Sequence, residues 1–202
     1  MIDAFCWNIR GFNKSVRRRS FRKWFRRNNT LFGSLIETRV KAFRSQKFIQ
    51  STFPGWNAVA NYENADLGWI WVVWDPSVTV SVLHESAQMV TCVVKSPQLE
   101  DEFVVSFVYA FNCRYGRREL WNDIGTLAAN PIMVDKPWMV LGDFNQALNP
   151  EDSSSGSSRI SGGMEEFRTC LLSAHLSDLS YRGHNFTWWN KQDSNPIAKK
   201  LD

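Results

Sequence analysis

Three apolar runs in this chain end on side chains that carry oxygen: Phe5-Cys6-Trp7-Asn8, Leu35-Ile36-Glu37 and Val140-Leu141-Gly142-Asp143-Phe144-Asn145. Each run reads as a buried strand. Asp143 and Asn145 are two apart, so they project to one side if the strand continues that far. Carboxylate and amide oxygens at strand ends form a ligand set suited to a hard divalent cation such as magnesium, and they point to metal-assisted phosphoester chemistry. Taken singly, each position is also what a strand giving way to a turn would carry, because Asn and Asp satisfy turn backbone with their own side chains. Their combination argues for a site, since open sheets gather their sites at strand termini.

The elements that must position these residues follow from periodicity. Strands are expected at about 2–8 and 31–37, on either side of a helix spanning Lys14 to Arg27, with a weaker helical pattern from Lys41 to Ile49. The period then changes to short strands: Trp56 to Ala60, Ile70 to Trp74, the alternating Val78, Val80 and Val82, Met89 to Val94 and Phe103 to Tyr109. Turn-like segments such as Asp75-Pro76 separate them, which predicts an antiparallel meander. Leu120, Trp121, Ile124, Leu127 and Ala128 fit a helical face, and Trp138 to Leu141 forms the strand that delivers Asp143. The Ser- and Gly-rich stretch from Asp152 to Gly163 reads as an exposed loop within the domain. Beyond it a helix over Met164 to Ala174 is expected, with Glu165 and Glu166 in its first turn, then strands near Leu176 to Leu179 and Phe186 to Trp189.

Charge is concentrated. The chain has 24 Lys and Arg against 20 Asp and Glu, yet eight of those cations (Lys14, Arg17, Arg18, Arg19, Arg22, Lys23, Arg26 and Arg27) lie in the first helix, with no acidic residue among them. Phe21, Trp24 and Phe25 recur at helical spacing, so the helix is amphipathic, with aromatics toward the core. Its cations are either a solvated face or contacts for a phosphate backbone.

At 202 residues and 44% hydrophobic, the chain has the material for one domain with a substantial core. Cys6, Cys92, Cys113 and Cys170 are scattered without metal or redox spacing and read as reduced thiols. No secretory leader and no stretch of about 20 apolar residues is present, so the expected location is nucleus or cytoplasm, with no membrane contact. Asn28-Asn29-Thr30 and Asn185-Phe186-Thr187 match the glycosylation pattern, which has no meaning without secretion. Trp69, Trp71, Trp74, Trp188 and Trp189 are read as packing residues, with Trp189 alone a plausible base-stacking contact.

Cys6-Trp7-Asn8-Ile9-Arg10-Gly11, Ile36-Glu37-Thr38, Val108-Tyr109-Ala110-Phe111-Asn112, Leu141-Gly142-Asp143-Phe144-Asn145 and Phe186-Thr187-Trp188-Trp189-Asn190 occur in an order that resembles the endonuclease/exonuclease/phosphatase superfamily. The likeness is greatest to the apurinic-endonuclease-like domain of plant LINE-type, non-LTR retrotransposons, and it covers essentially the whole chain. It implies an α/β fold, a four-layer α-β-β-α sandwich of two mixed sheets. It also implies a monomeric, Mg2+-dependent endonuclease (Mn2+ as an alternative ion) that acts on DNA and nicks a target to prime reverse transcription by a following reverse transcriptase domain.

By the same resemblance, Glu37 holds the metal with Asn8 beside it, and Tyr109 and Asn112 form a phosphate-contacting pair. Asp143 orients or deprotonates the attacking water, while Asn145 steadies the phosphoryl oxygens. Thr187 resembles a substrate-facing threonine; Trp189 beside it and Arg10 in the Asn8 motif are taken as further substrate-binding residues. Asp202 matches the aspartate of an Arg-Leu-Asp segment that orients a catalytic histidine. The division of labour suits the chemistry, because a cation neutralises the phosphodiester while a base activates water, and neutral amides donate hydrogen bonds without adding negative charge.

In the family that histidine follows the Arg-Leu-Asp match, and here the sequence stops at Asp202; His84, His175 and His184 do not stand in for it. On this template residues 1–202 are a single domain, incomplete at its C-terminus and short of its last strands. An unpaired sheet edge, poor solubility or low stability, and weak or absent activity are then expected. Lys200 where relatives carry Arg, Gly68-Trp69, and a Tyr109-to-Asn112 segment without proline are mild departures. A catalytically dead retrotransposon remnant therefore stands as the alternative, and a small-molecule phosphatase as a more distant one.

Overall fold

The computed structural model describes residues 4–156 and 158–202. Residues 2 and 3 of the expected first strand, and Ser157 of the expected loop, lie outside the described residues. The chain divides into two compact units, one of Met1–Tyr109 with Asp135–Gly142, the other of Ala110–Val134 with Asp143–Asp202.

The first unit is built on two four-stranded sheets. One has the order β1-β2-β4-β3, from β1 (Ala4–Asn8), β2 (Phe32–Ile36), β3 (Asn57–Ala60) and β4 (Ile70–Trp74). β1 and β2 are parallel, in register from Ala4 with Phe32 to Asn8 with Ile36. A parallel pair needs a crossover, and α1 (Ser15–Asn28) supplies it, closing on Asn29 in the left-handed conformation. The other sheet has the order β5-β6-β7-β8, from β5 (Thr79–Glu85), β6 (Met89–Lys95), β7 (Phe103–Tyr109) and β8 (Trp138–Asp143), whose last residue belongs to the second unit. β5, β6 and β7 are antiparallel. Along β8 the bonds Val104 N to Pro137 O (2.8 Å) and Ala110 N to Asp143 O (2.9 Å) run in the parallel sense, so both sheets are mixed.

The expected meander is therefore divided between two sheets, and the Asp75-Pro76 turn is where the chain passes from one to the other. Strand patterning explains why. In β2, Phe32 and Ile36 pack with Val90, Cys92, Val105 and Phe107 between the sheets, while Leu35 joins Phe5, Phe21 and Trp71 on the opposite side. β4 repeats this, with Ile70 and Val72 inward and Trp71 and Val73 toward the helices. A strand buried on both faces is almost wholly apolar, as β2 and β4 are apart from Ser34, so its sequence does not disclose which sheet it joins.

The helical layer on β1, β2 and β4 consists of α1 and α2 (Ala42–Thr52). It is cemented by aromatic rings: Phe5 lies 5.6 Å from Phe21, Trp7 5.0 Å from Trp24, and Phe25 5.0 Å from Phe53. Rings of this size contribute both area and edge-to-face preference.

The second unit pairs α3 (Arg114–Ala128) with α4 (Gly162–Ser173). α3 starts well before the expected Leu120, because its first turn is polar and leaves no apolar signature. Trp121 and Phe167 stack at 4.8 Å, and Glu166 bridges Arg114 (2.9 Å) and Arg118 (2.6 Å). Short 3-10 turns fall at Pro131–Met133 and Pro150–Asp152. Trp188–Trp189 (β9) pairs with Ala198–Lys199 (β10), a partner that the sequence did not reveal. Residues 176–179 form no strand: Leu179 is exposed, and Asp178 is drawn to Lys200 instead.

Candidate functional site

In the first unit the backbone brings Asn8, Arg10 and Glu37 together. Beyond the ends of β1 and β2 the two chains continue to pair: Ile9 N donates to Ile36 O (3.0 Å), Gly11 N to Glu37 O (2.8 Å) and Phe12 N to Thr38 O (2.7 Å). Asn8 lies opposite Ile36, and its Oδ1 accepts from Arg10 N at 3.2 Å. Thr38 Oγ1 donates to Gly68 O at 2.5 Å, which holds the Glu37 strand end to the segment before β4. One residue on, Trp69 stacks on Tyr109 at 5.3 Å.

Glu37 carries two features that ordinary turn chemistry does not call for. Its φ is +55°, as Arg10 (+50°) and Arg39 (+53°) are also left-handed, a conformation that a long side chain adopts only when its surroundings impose it. It is also 7% exposed. A carboxylate buried to that degree requires a cation, and the Arg39 guanidinium ion-pairs with its Oε1. Arg39 itself is 54% exposed, so this counter-charge sits at the surface. Sequence reading missed Arg39; the signal was the Glu-Thr-Arg spacing, which sets two charged side chains two residues apart.

The fit to a divalent ion can be judged from these donors. Among the described residues no three His, Cys, Asp or Glu form a cluster. Mg2+ does not need one, because it keeps waters and takes one or two carboxylates with the remainder from substrate phosphates. Glu37 with the Asn8 amide is a hard oxygen pair of that type, and the cation already drawn to Glu37 shows the polarity of the position.

In the second unit a separate chain of bonds gathers Asp143, Asn145, Asn112, Thr187 and Asp202. Ala110 N donates to Asp143 O (2.9 Å), and Asn145 Nδ2 returns to Ala110 O (2.6 Å). Asn145 N donates to Asp143 Oδ1 at 3.0 Å, which fixes the direction of a carboxyl group that is 5% exposed. Phe144 N donates to Leu201 O (2.8 Å), Leu201 N to Thr187 Oγ1 (3.2 Å) and Thr187 N to Lys199 O (2.9 Å). Asp202 and Thr187 thus lie beside the Asp143 loop. Trp189 is half exposed on the β9 ribbon.

Arg117 was also missed. It is 5% exposed, and its Nη1 donates to Phe111 O and Asn112 O (2.9 Å each) while Nη2 reaches Gln146 Oε1 (2.7 Å), which ties the Asn112 turn to the Asn145 loop. Burial pulls its pKa below the usual arginine value. His84 lies at a bulge in β5, whereas His175 and His184 are exposed.

The model of the endonuclease/exonuclease/phosphatase family matches residues 5–202. No curated protein matches the chain by sequence search. Among solved structures, the endonuclease domain of TRAS1, a telomere-specific non-LTR retrotransposon, has 13% identity and a TM-score of 0.73, covering 100% of this chain and 83% of its own. A mannosyl-6-phosphatase from Bacteroides thetaiotaomicron is similar at 10% identity and a TM-score of 0.56, over 84% and 70%. TDP2 of D. rerio, complexed with a single-strand DNA product, is similar at 10% identity and a TM-score of 0.51, over 72% and 61%. At such identities the likeness is one of fold, and with two mixed sheets and a family match over nearly its full length, the chain belongs to the endonuclease/exonuclease/phosphatase family.

Proposed function

We propose that residues 1–202 act as one divalent-cation-dependent endonuclease domain, hydrolysing a DNA phosphodiester, and that they belong to a retroelement in which the nick primes reverse transcription. The observation that carries this reading is Glu37: a buried carboxylate in a strained left-handed conformation, beside Asn8, with an exposed cation drawn to it. Glu37 and Asn8 would hold Mg2+, or Mn2+, which supplies charge neutralisation at the phosphate. Asp143, held by Asn145 N, takes the proton of the attacking water. Asn145 has one amide N–H on Ala110 O and offers the other to a phosphoryl oxygen, with Asn112 and Tyr109 contacting the same group. Arg10, Thr187 and Trp189 contact the substrate strand, and Asp202 positions rather than reacts. The likeness to the TRAS1 endonuclease domain favours DNA as the substrate.

Nicking of supercoiled plasmid tests the reading. The wild-type chain is expected to nick only weakly with Mg2+ and to stop with chelator, while Glu37→Ala and Asp143→Ala lose about 10²- to 10⁴-fold in rate. Equal nicking by all three, or none by the wild type, would overturn it, the latter in favour of a non-catalytic remnant.

A further inference from the structure

The sequence presents the eight cations from Lys14 to Arg27 as one block, seven of them within α1 and Lys14 just before it, and the structure divides them. Three are committed to the fold. Arg17 Nη1 donates to Ile9 O (3.4 Å), Arg18 Nη1 to Phe12 O and Asn13 O (2.7 Å each) while it stacks 4.6 Å above Phe48, and Arg22 Nη2 reaches Ser51 O (3.0 Å), Ser51 Oγ and Thr52 Oγ1. The others, Lys14, Arg19, Lys23, Arg26 and Arg27, are exposed. Among the described residues Arg19, Lys23 and Arg26 have no ion pair. At i, i+4 and i+7 they share one helix face.

We infer that this outward face of α1 is a docking surface for the sugar-phosphate backbone of duplex DNA. From Arg19 to Arg26 the row rises about 10 Å, the axial length of about three phosphates on one strand. No acidic residue of the helix opposes it. A lipid surface fits poorly, because an amphipathic helix binds membranes through its apolar face. Here Phe21, Trp24 and Phe25 are already packed in the core against Phe5 and Trp7. The inference rests on the endonuclease reading only in taking DNA as the polyanion.

The test is the salt dependence of duplex binding by the 202-residue chain, read by fluorescence anisotropy in chelator from about 50 to 200 mM salt. The variant R19Q/K23Q/R26Q is compared with K95Q/R182Q/K191Q, which removes the same charge from exposed positions elsewhere. The α1 variant is expected to flatten the log-log slope by about 2.7, or 0.9 for each contact, with the control unchanged. An unchanged slope in the α1 variant, equal flattening in the control, or equal displacement of the duplex by polyglutamate would overturn the inference. Wild-type plasmid nicking is scored separately: nicking with an unmoved slope defeats the docking face alone, whereas a moved slope without nicking defeats the endonuclease reading alone.

Discussion

At the scale of single residues, backbone conformation separates Glu37 from the many carboxylates that merely end strands. The sequence showed Glu37, Asp143 and Asn145 because each closes an apolar run. It could not show that Glu37 and Asn145 take φ of +55° and +48°, because neither residue type by itself commits to that conformation and only the fold imposes it. Gly142 is a different case. Its φ is +143°, and a Cβ there would run into the carbonyl oxygen of Val108. Only glycine lets β8 approach β7 that closely just before Asp143. Gly142→Ala is accordingly expected to lose about 1–3 kcal/mol of stability, read by urea unfolding, and to slow nicking by displacing the neighbouring carboxylate. An unaltered unfolding midpoint would show that the strand accommodates the methyl group.

At the scale of elements, the existence of the longer helices and strands was legible, and their partners were not, nor were the short β10 and the lack of a strand at 176–179. α1, α2, β4, β6 and β7 fall close to where periodicity puts them, because buried faces write their period into the sequence. The expected meander holds for β3–β4 and for β5-β6-β7 and breaks only between β4 and β5: β4 is buried on both faces, so no polar side marks the sheet to which it belongs. The α3–α4 pair has its own chemical signature in Glu166, whose hydrogen bonds with Arg114 and Arg118 hold its pKa down to about 2. A carboxyl group lowered in the folded state stabilises above its unfolded value, and that contribution disappears as pH falls from about 4.5 through about 2. The arginines are half exposed, so the effect is expected to be small, about 1 kcal/mol or less. Glu166→Gln should flatten acid unfolding in that window; an identical acid profile for variant and wild type would mean the pair contributes nothing.

At the scale of the whole molecule, family membership was legible because motifs that do chemistry stand in a fixed order along the chain. The organisation into two compact units was not, since the cut falls within β8, between Gly142 and Asp143, where no change of composition marks it. Glu37 and Asp143 belong to different units, yet the proposed chemistry has them act in one reaction. A double-mutant comparison of plasmid nicking by Glu37→Ala, Asp143→Ala and the combination measures that directly. Residues that act as a unit are grossly non-additive, so the double variant is expected to be about as slow as the slower single variant. Losses that multiply, with the double variant slower by the product of the two single effects, would contradict a shared reaction.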